Sequence, residues 1–444
     1  MGAETLFSVA EYAARELALF AAVGILLGGL DDLLVDLLWL AGKRPPRRSL
    51  AMLGPARRPG KLALFIPAWD EAEVIGPMLR HTLCAFARDD VTLFVGGYPN
   101  DHETIARIAD AAARDERVRI AICPRRGPTT KADCLNAIWL RMREEEQRTG
   151  RRFKAVVLHD AEDVVHPDEA RLFDRLIEEH DLVQIPVVPL IDSGRRWIAG
   201  HYGDEFAEAH GKDLAVRDAL DAGVPSAGVG CAIRRETLAR IAAERRDGPF
   251  DADSLTEDYE LGLRLAGSGA TGSFAAISPR GGEPPIAVRA HFPEHLGAAV
   301  RQKTRWITGI ALSGWERLGW QGGLAERWMR LRDRRAVLAA LILSAAYAAL
   351  LLGAFLAIVA AASPLSLAPV GPMLATLLIA NALLLGWRLA MRAFFASRLY
   401  GPTEGLLAIP RALISNIIAI MAARRAVTAF LLAKRGAPPR WDKT

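Results

Sequence analysis

From Ala336 to Trp387 the sequence runs 52 residues without one Asp, Glu, Lys or Arg. A helix needs about 20 apolar residues to cross the hydrocarbon of a bilayer. Pro364, Pro369, Gly371 and Pro372 interrupt helical geometry near the middle of the run. The text therefore predicts two spans, 336–362 and 368–388, with a short connection between them. A buried hairpin of a soluble protein would carry a polar helix face, and none is visible. The composition, 51% apolar yet 24% charged, makes sense only when divided along the chain in this way. It excludes disorder and a disulfide scaffold. A net charge of +5 over 444 residues, with no basic aromatic stripe, speaks against nucleic acid as a partner.

Residues 17–42 predict a third span, uniformly apolar over Leu17–Leu30 and then interrupted by Asp31, Asp32 and Asp36. The preceding segment, 1–16, contains Glu4, Glu11, Arg15 and Glu16 and so lacks the positive start of a cleaved signal; an anchor is expected. Carboxylates at a membrane boundary should face protein or water, so the three Asp are expected to contact other spans. Basic residues flank the spans at Lys43, Arg44, Arg47 and Arg48, at Arg330, Arg332, Arg334 and Arg335, and at Arg388, Arg392 and Arg398. The connection around Ser363–Pro372 has none. The positive-inside tendency then predicts an outer amino terminus, a cytoplasmic middle and a cytoplasmic carboxyl end. The partner these spans imply is a lipid bilayer. Arg411, Asn416, Arg424 and Arg425 break the apolar text of the tail, so 404–444 reads as an interfacial amphipathic helix and a cytoplasmic end, irregular over Gly436–Thr444. Cys84, Cys123, Cys134 and Cys231 fall in the middle without Cys-x-x-Cys spacing, as reduced thiols would.

The middle, residues 43–300, alternates β-rich runs with amphipathic stretches, which predicts an α/β domain: a mostly parallel sheet with helices on both faces, inserted between the membrane helices. Ligands in such sheets bind beyond the carboxyl ends of strands. Three expected strand ends carry polar text: Pro67-Ala68-Trp69-Asp70-Glu71, Gly97-Tyr98-Pro99-Asn100-Asp101 and Asp160-Ala161-Glu162-Asp163. No Gly-x-Gly-x-x-Gly and no phosphate-loop Gly-Lys-Ser/Thr is present, which removes support for a dinucleotide oxidoreductase or a phosphate-loop nucleotidase. One or two strand-end carboxylates can hold Mg²⁺ or Mn²⁺ whose other positions a diphosphate fills; read alone, the same acids are equally a solvated helix cap. Thr256-Glu257-Asp258 opens a helical pattern, where acids also suit the helix dipole. In the juxtamembrane stretch 301–335, Gln302, Arg305 and Trp306 share one helix face. On its own that face would be an interfacial anchor.

Taken in order, Pro-x-Trp-Asp-Glu, strand-end acids, Thr-Glu-Asp, Gln-x-x-Arg-Trp and then membrane spans resemble membrane-embedded glycosyltransferases of family 2, such as cellulose and hyaluronan synthases. The closer resemblance is to the NfrB-like group, known as bacteriophage adsorption components of the inner membrane. It rests on Gly29-Leu30-Asp31-Asp32, Tyr98-Pro99-Asn100-Asp101, Lys131-Ala132-Asp133-Cys134-Leu135-Asn136 and His159-Asp160-Ala161-Glu162-Asp163. Pro225-Ser226-Ala227-Gly228-Val229-Gly230, Leu255-Thr256-Glu257-Asp258-Tyr259 and Trp441-Asp442-Lys443-Thr444 add to it.

The resemblance implies a GT-A-type nucleotide-sugar-binding domain and an inverting transfer from a nucleoside-diphosphate sugar, a UDP-sugar as first choice, to a growing glycan or lipid-linked acceptor. Pro67, Trp69 and Glu71 would line the nucleoside pocket, with Asp101 and Lys131 nearby. Asp160 and Glu162 would hold Mg²⁺ or Mn²⁺, with Asp163 as an alternative ligand. Asp258 would be the general base, flanked by Thr256 and Glu257. Arg305 would face the diphosphate, and Trp306 and Gln302 the acceptor. Two departures stand out: Glu162 replaces the second metal-motif Asp, and Gly96-Gly97 replaces the family's acidic pair after the second strand. The resemblance also implies exopolysaccharide synthesis and secretion with an outer-membrane or periplasmic export partner. Regulation of the kind longer relatives carry in a carboxyl-terminal domain would require a separate chain. The alternative is a non-catalytic scaffold of an envelope complex used in phage adsorption, against which the retained acids count.

Overall fold

The computed structural model describes residues 3–45, 48–192, 194–245 and 248–435. Arg47 and the expected irregular end Gly436–Thr444, with the Trp441–Thr444 match, lie outside them. Among the described residues nine strands form the scaffold: β1 Leu62–Pro67, β2 Val91–Gly97, β3 Val118–Ile122, β4 Ala155–Leu158, β5 Leu182–Gln184, β6 Val187–Leu190, β7 Cys231–Arg234, β8 Gly272–Phe274 and β9 Val288–His291. Seven pair in the order β3-β2-β1-β4-β7-β5-β8, and β6 pairs with β9 in a small parallel sheet. All main-sheet pairs are parallel except the two made by β7. Alternation along β1 explains the layering: Leu62, Leu64 and Ile66 enter one core with helices Ile75–Ala85 and Glu169–Leu176, while Ala63 and Phe65 enter another with helix Lys131–Thr149. The expected α/β domain with helices on both faces is what forms.

The family-atypical Gly96 also has a packing reason. A Cβ there would strike Cys134 Sγ and lie 2.9 Å from Ile138, so glycine lets helix Lys131–Thr149 lie close on β2.

Among the described residues, four helices are long and apolar enough to cross a membrane, judged by length and composition: residues 4–40, Ala336–Ala362, Pro372–Tyr400 and Pro402–Lys434. The second coincides with the expected span. The first is longer than expected, beginning at Ala3 within one helix to Leu40, and the third extends to Tyr400 rather than 388. The tail forms one 33-residue helix, Pro402–Lys434, tolerating Pro410 inside it.

The three early Asp do find partners, though mainly bases beside the spans. Asp31 accepts from Trp328 Nε1 (2.6 Å) and Arg335 (2.7 Å) and also pairs with Arg332. Asp32 pairs with Arg335 and with Arg332 at 3.1 Å. Asp36, fully buried, meets Lys212 of the globular domain and Trp387 Nε1 of helix Pro372–Tyr400 (2.8 Å). At the opposite end of the first helix, Glu11 accepts the Ala368 N–H (2.8 Å) and Arg15 donates to Pro369 O (3.2 Å), tying that end to the connection between the paired helices.

Candidate active site

The carboxyl ends of β1 and β4 open into a cavity of about 420 Å³, within the range of small-molecule sites. Pro67, Trp69, Glu71, Lys131, Asp160, Glu162, Asp163, Thr256, Glu257, Asp258, Gln302, Arg305 and Trp306 all line it. Of the residues singled out from sequence, only Asp101 does not. Its carboxylate caps helix His102–Arg114 through Thr104 N–H (3.3 Å) and accepts Asp70 N–H (2.5 Å). With Thr104 Oγ1 taking Glu71 N–H (2.9 Å), it positions the loop that carries Trp69 and Glu71.

The Trp69 side of the cavity has a wall that sequence reasoning did not assign. Trp69 meets Tyr98 edge to face, ring centroids 5.2 Å apart. Gly127 packs on Trp69 so closely that a Cβ would lie 2.5 Å from its ring. Asn100 clamps Gly127 from both ends, donating to its carbonyl (2.9 Å) and accepting its N–H (2.7 Å). The Tyr98-Pro99-Asn100 text was the available signal, but nothing local to it points 27 residues ahead.

At β4, the acids divide into two jobs. His159 and Asp163 are buried, and Asp163 Oδ2 lies 3.0 Å from His159 Nδ1 and accepts Asp160 N–H at 3.0 Å. His159 Nε2 is 2.7 Å from Glu169. Burial opposes charge on this imidazole, but Glu169 and Asp163 outweigh it and push the group up to about 10. Asp163 therefore holds the turn from beneath, whereas Asp160 and Glu162 face the cavity. Enclosure by the cavity walls, then Asp160, Asp163 and Glu71, push Glu162 up to about 8. Lys131 Nζ sits 2.5 Å from Asp160. Burial works against its charge, yet Asp160, Glu257 and Asp258 hold its pKa above the ordinary lysine range.

Thr256, Glu257 and Asp258 start helix Glu257–Gly267. The helix is braced by Ser254 Oγ donating to Glu260 (2.6 Å) and by Tyr259 OH donating to Asp333 (2.7 Å). Burial is the main cause pushing Asp258 above the ordinary carboxylate range, and the same cause plus Asp258 takes Glu257 to about 7. Gly228, at φ +75°, lies against this carboxylate; a Cβ there would run into it. Buried Gln184 fixes that loop, accepting Ala227 N–H (2.8 Å) and donating to Val229 O (2.9 Å).

Helix Leu296–Ile307 brings Gln302, Arg305 and Trp306 to the remaining wall, then widens into π-type turns over Thr308–Ser313. That widening seats Gly309 on Thr256, where a Cβ would clash. Trp306 joins Tyr202, Phe206 and Phe292 in an aromatic surface, centroids 6.0–6.5 Å from it. The cavity thus has an acidic floor, two cations, an indole beside a clamped loop on one side and an aromatic wall on the other.

A divalent cation fits this floor: carboxylates outnumber cations, and burial and the neighbouring acids hold Glu162 well above the ordinary carboxylate range. Among the described residues no three His, Cys, Asp or Glu side chains form a cage. Sites completed by phosphate oxygens need only one or two carboxylates.

Residues 155–391 match the family described as Glycosyl transferase family group 2. Bacteriophage adsorption protein B of Escherichia coli (strain K12) and bacteriophage N4 adsorption protein B of Escherichia coli O157:H7 are each 35% identical over 99% of this chain. The chain spans 63% of the length of these relatives. Among solved structures, a mannosyltransferase from Pyrobaculum calidifontis, in complex with GDP-Man and Mn²⁺, shares the fold at TM-score 0.53, covering 94% of this chain and 99% of that one at 17% identity. The family match takes in more than half of the sequence, including Asp160, Asp258 and Arg305: the chain belongs to glycosyl transferase family group 2.

Proposed function

We propose that this protein is a bacterial inner-membrane, inverting glycosyltransferase that moves a sugar from a nucleoside-diphosphate sugar to an acceptor hydroxyl of a glycan or lipid-linked glycan, for an exopolysaccharide exported with an envelope partner. The observation that carries the reading is the single cavity in which Lys131, Asp160, Glu162, Asp258, Arg305 and Trp306 converge from four separated stretches of sequence.

In this reading Trp69 and the Asn100-clamped loop hold the nucleoside, while Lys131 and Arg305 face the diphosphate. Asp160 and Glu162 would hold Mg²⁺ or Mn²⁺, which supplies countercharge for the diphosphate. Asp258 accepts the proton of the acceptor hydroxyl as that oxygen bonds to the anomeric carbon. The bond from that carbon to the diphosphate oxygen breaks, and nucleoside diphosphate leaves with its electron pair. Gly228 and the start of helix Glu257–Gly267 fix the carboxylate for that attack. Trp306 stacks the acceptor.

The first helix and the paired helices span the bilayer with the globular domain in the cytoplasm. Glu11 and Arg15 then share the outer face with the connection they bind. The last helix lies along the inner surface rather than crossing. Arg411 reaches Asp204, Ala422 O takes Thr304 Oγ1 (3.4 Å) and Lys434 reaches Glu316 (2.7 Å), so both of its ends contact the globular side. A crossing helix about 50 Å long has only one end there.

The test is nucleoside-diphosphate release by the purified full chain across a panel of UDP- and GDP-sugars. Release that EDTA abolishes and Mn²⁺ restores is expected. No release and no thermal shift with any donor would favour the scaffold instead.

A further inference from the structure

One polar side chain on the cavity wall belongs to none of the motifs and takes no part in the mechanism above. His210 lies in Ala209–Asp213, a stretch of wide π-type turns continuing helix Ile198–Glu208. Such widenings re-aim side chains and recur at functional sites. The Val187 N–H at the start of β6 donates to His210 Nδ1 at 2.9 Å. A backbone N–H can only donate, so Nδ1 carries the lone pair and the neutral ring keeps its hydrogen on Nε2. Burial holds the imidazole down at about 4, so the ring is uncharged near pH 7. Its position is set by Phe206 (centroids 5.1 Å) and by Phe274, which it meets at right angles (5.8 Å). Phe206 in turn lies 6.3 Å from Trp306. On the same cavity, Gln302 Oε1 is buried with no hydrogen-bond partner among the described residues.

A fixed N–H donor and an unused carbonyl acceptor beside an indole match a pyranose, whose hydroxyls give and take hydrogen bonds and whose ring face is apolar. A phosphate or carboxylate would instead call for a cation; the one on this wall, Arg305, faces the diphosphate in the reading above, and His210 supplies none. We propose that His210 is an acceptor-recognition residue whose Nε2–H donates to an oxygen of an uncharged sugar unit stacked on Trp306, so that the acceptor presents a neutral glycan end. This inference rests on the glycosyltransferase reading above.

The experiment uses the full chain in detergent, filled with UDP or GDP and Mn²⁺, and titrated calorimetrically with cellotetraose, chitotetraose and mannotetraose. His210→Asn keeps an oxygen where Nδ1 was, and so the Val187 bond, but removes the Nε2 donor. His210→Gln does the reverse. At least one tetrasaccharide should bind the wild type; His210→Asn should weaken it about three- to tenfold, the worth of one hydrogen bond, at an unchanged melting temperature. His210→Gln should recover most of that affinity while melting lower. Equal affinity in His210→Asn and wild type overturns the proposal. So does equal weakening in both variants, which would mark a structural histidine, or no tetrasaccharide binding to nucleotide-filled wild type. Failure of the wild type to bind any nucleotide or nucleotide sugar would instead overturn the donor reading itself.

Discussion

Two acidic regions of this molecule are built from the same residue types to opposite ends. At the membrane boundary the buried carboxylates named here are ion-paired with bases. Asp31 and Asp32 have Arg332 and Arg335; Asp36 and Glu208 share Lys212; Asp204 takes Arg411 in two bonds of 2.9 and 2.7 Å. In the cavity, Glu71, Asp160, Glu162, Glu257 and Asp258 share Lys131 and Arg305. The boundary pairs clamp helices together, whereas in the cavity burial and neighbouring acids raise Glu162, Glu257 and Asp258 above the ordinary carboxylate range, ready for a cation or a proton.

The contrast breaks most sharply by removing one group from each region. Asp258→Asn should cut nucleotide release by about a thousandfold while leaving the melting temperature unchanged or higher, because a crowded charge is lost. Arg411→Met should do the reverse in kind. It strands Asp204 and Glu404 in a buried site and should cost about 3–5 kcal/mol of stability, read as a lower detergent melting temperature. If Arg411→Met melts like wild type, the boundary pairs are not clamps.

Gly228→Ala tests how tightly the base is held. The methyl group must displace the Asp258 carboxylate, and a shift near 1 Å should lower kcat about a hundredfold with donor affinity retained by calorimetry. The pH profile follows from the sign of the Asp258 shift. A base must be ionised, and its raised pKa means it protonates before an ordinary carboxylate does. The rate should therefore fall about tenfold per pH unit below a limb lying above pH 4; a limb at or below pH 4 would remove Asp258 from the role. The smallest effect belongs to the aromatic wall: Trp306→Ala should raise the acceptor KM by up to about tenfold and leave the donor KM alone.

Much of this was legible beforehand. The uncharged run predicted its first helix to the residue, and the alternating strands predicted a layered α/β domain, whose strand ends open into the cavity. The resemblance places Asp101 near the nucleoside pocket; in the structure its carboxylate caps helix His102–Arg114 behind the loop that carries Trp69 and Glu71. Asn100, Gln184 and His210 went unassigned because each acts on a segment far along the chain: Gly127, the Ala227–Gly230 loop and Val187. The tail was expected to be an interfacial helix, and Arg411 was the signal. Its full burial against Asp204 and Glu404 could not be read from a helix seen alone.

By itself the sequence determined which segments can enter a bilayer and which must form strands and helices, because apolar transfer and backbone hydrogen bonding add residue by residue over short windows. Only the tertiary structure decided which acids are neutralised and which are left short of charge. That depends on cations brought within a few ångströms from hundreds of residues away, as Arg332 and Arg335 are brought to Asp31 and Asp32. The Coulomb energy between them follows separation in space, to which position along the chain is no guide.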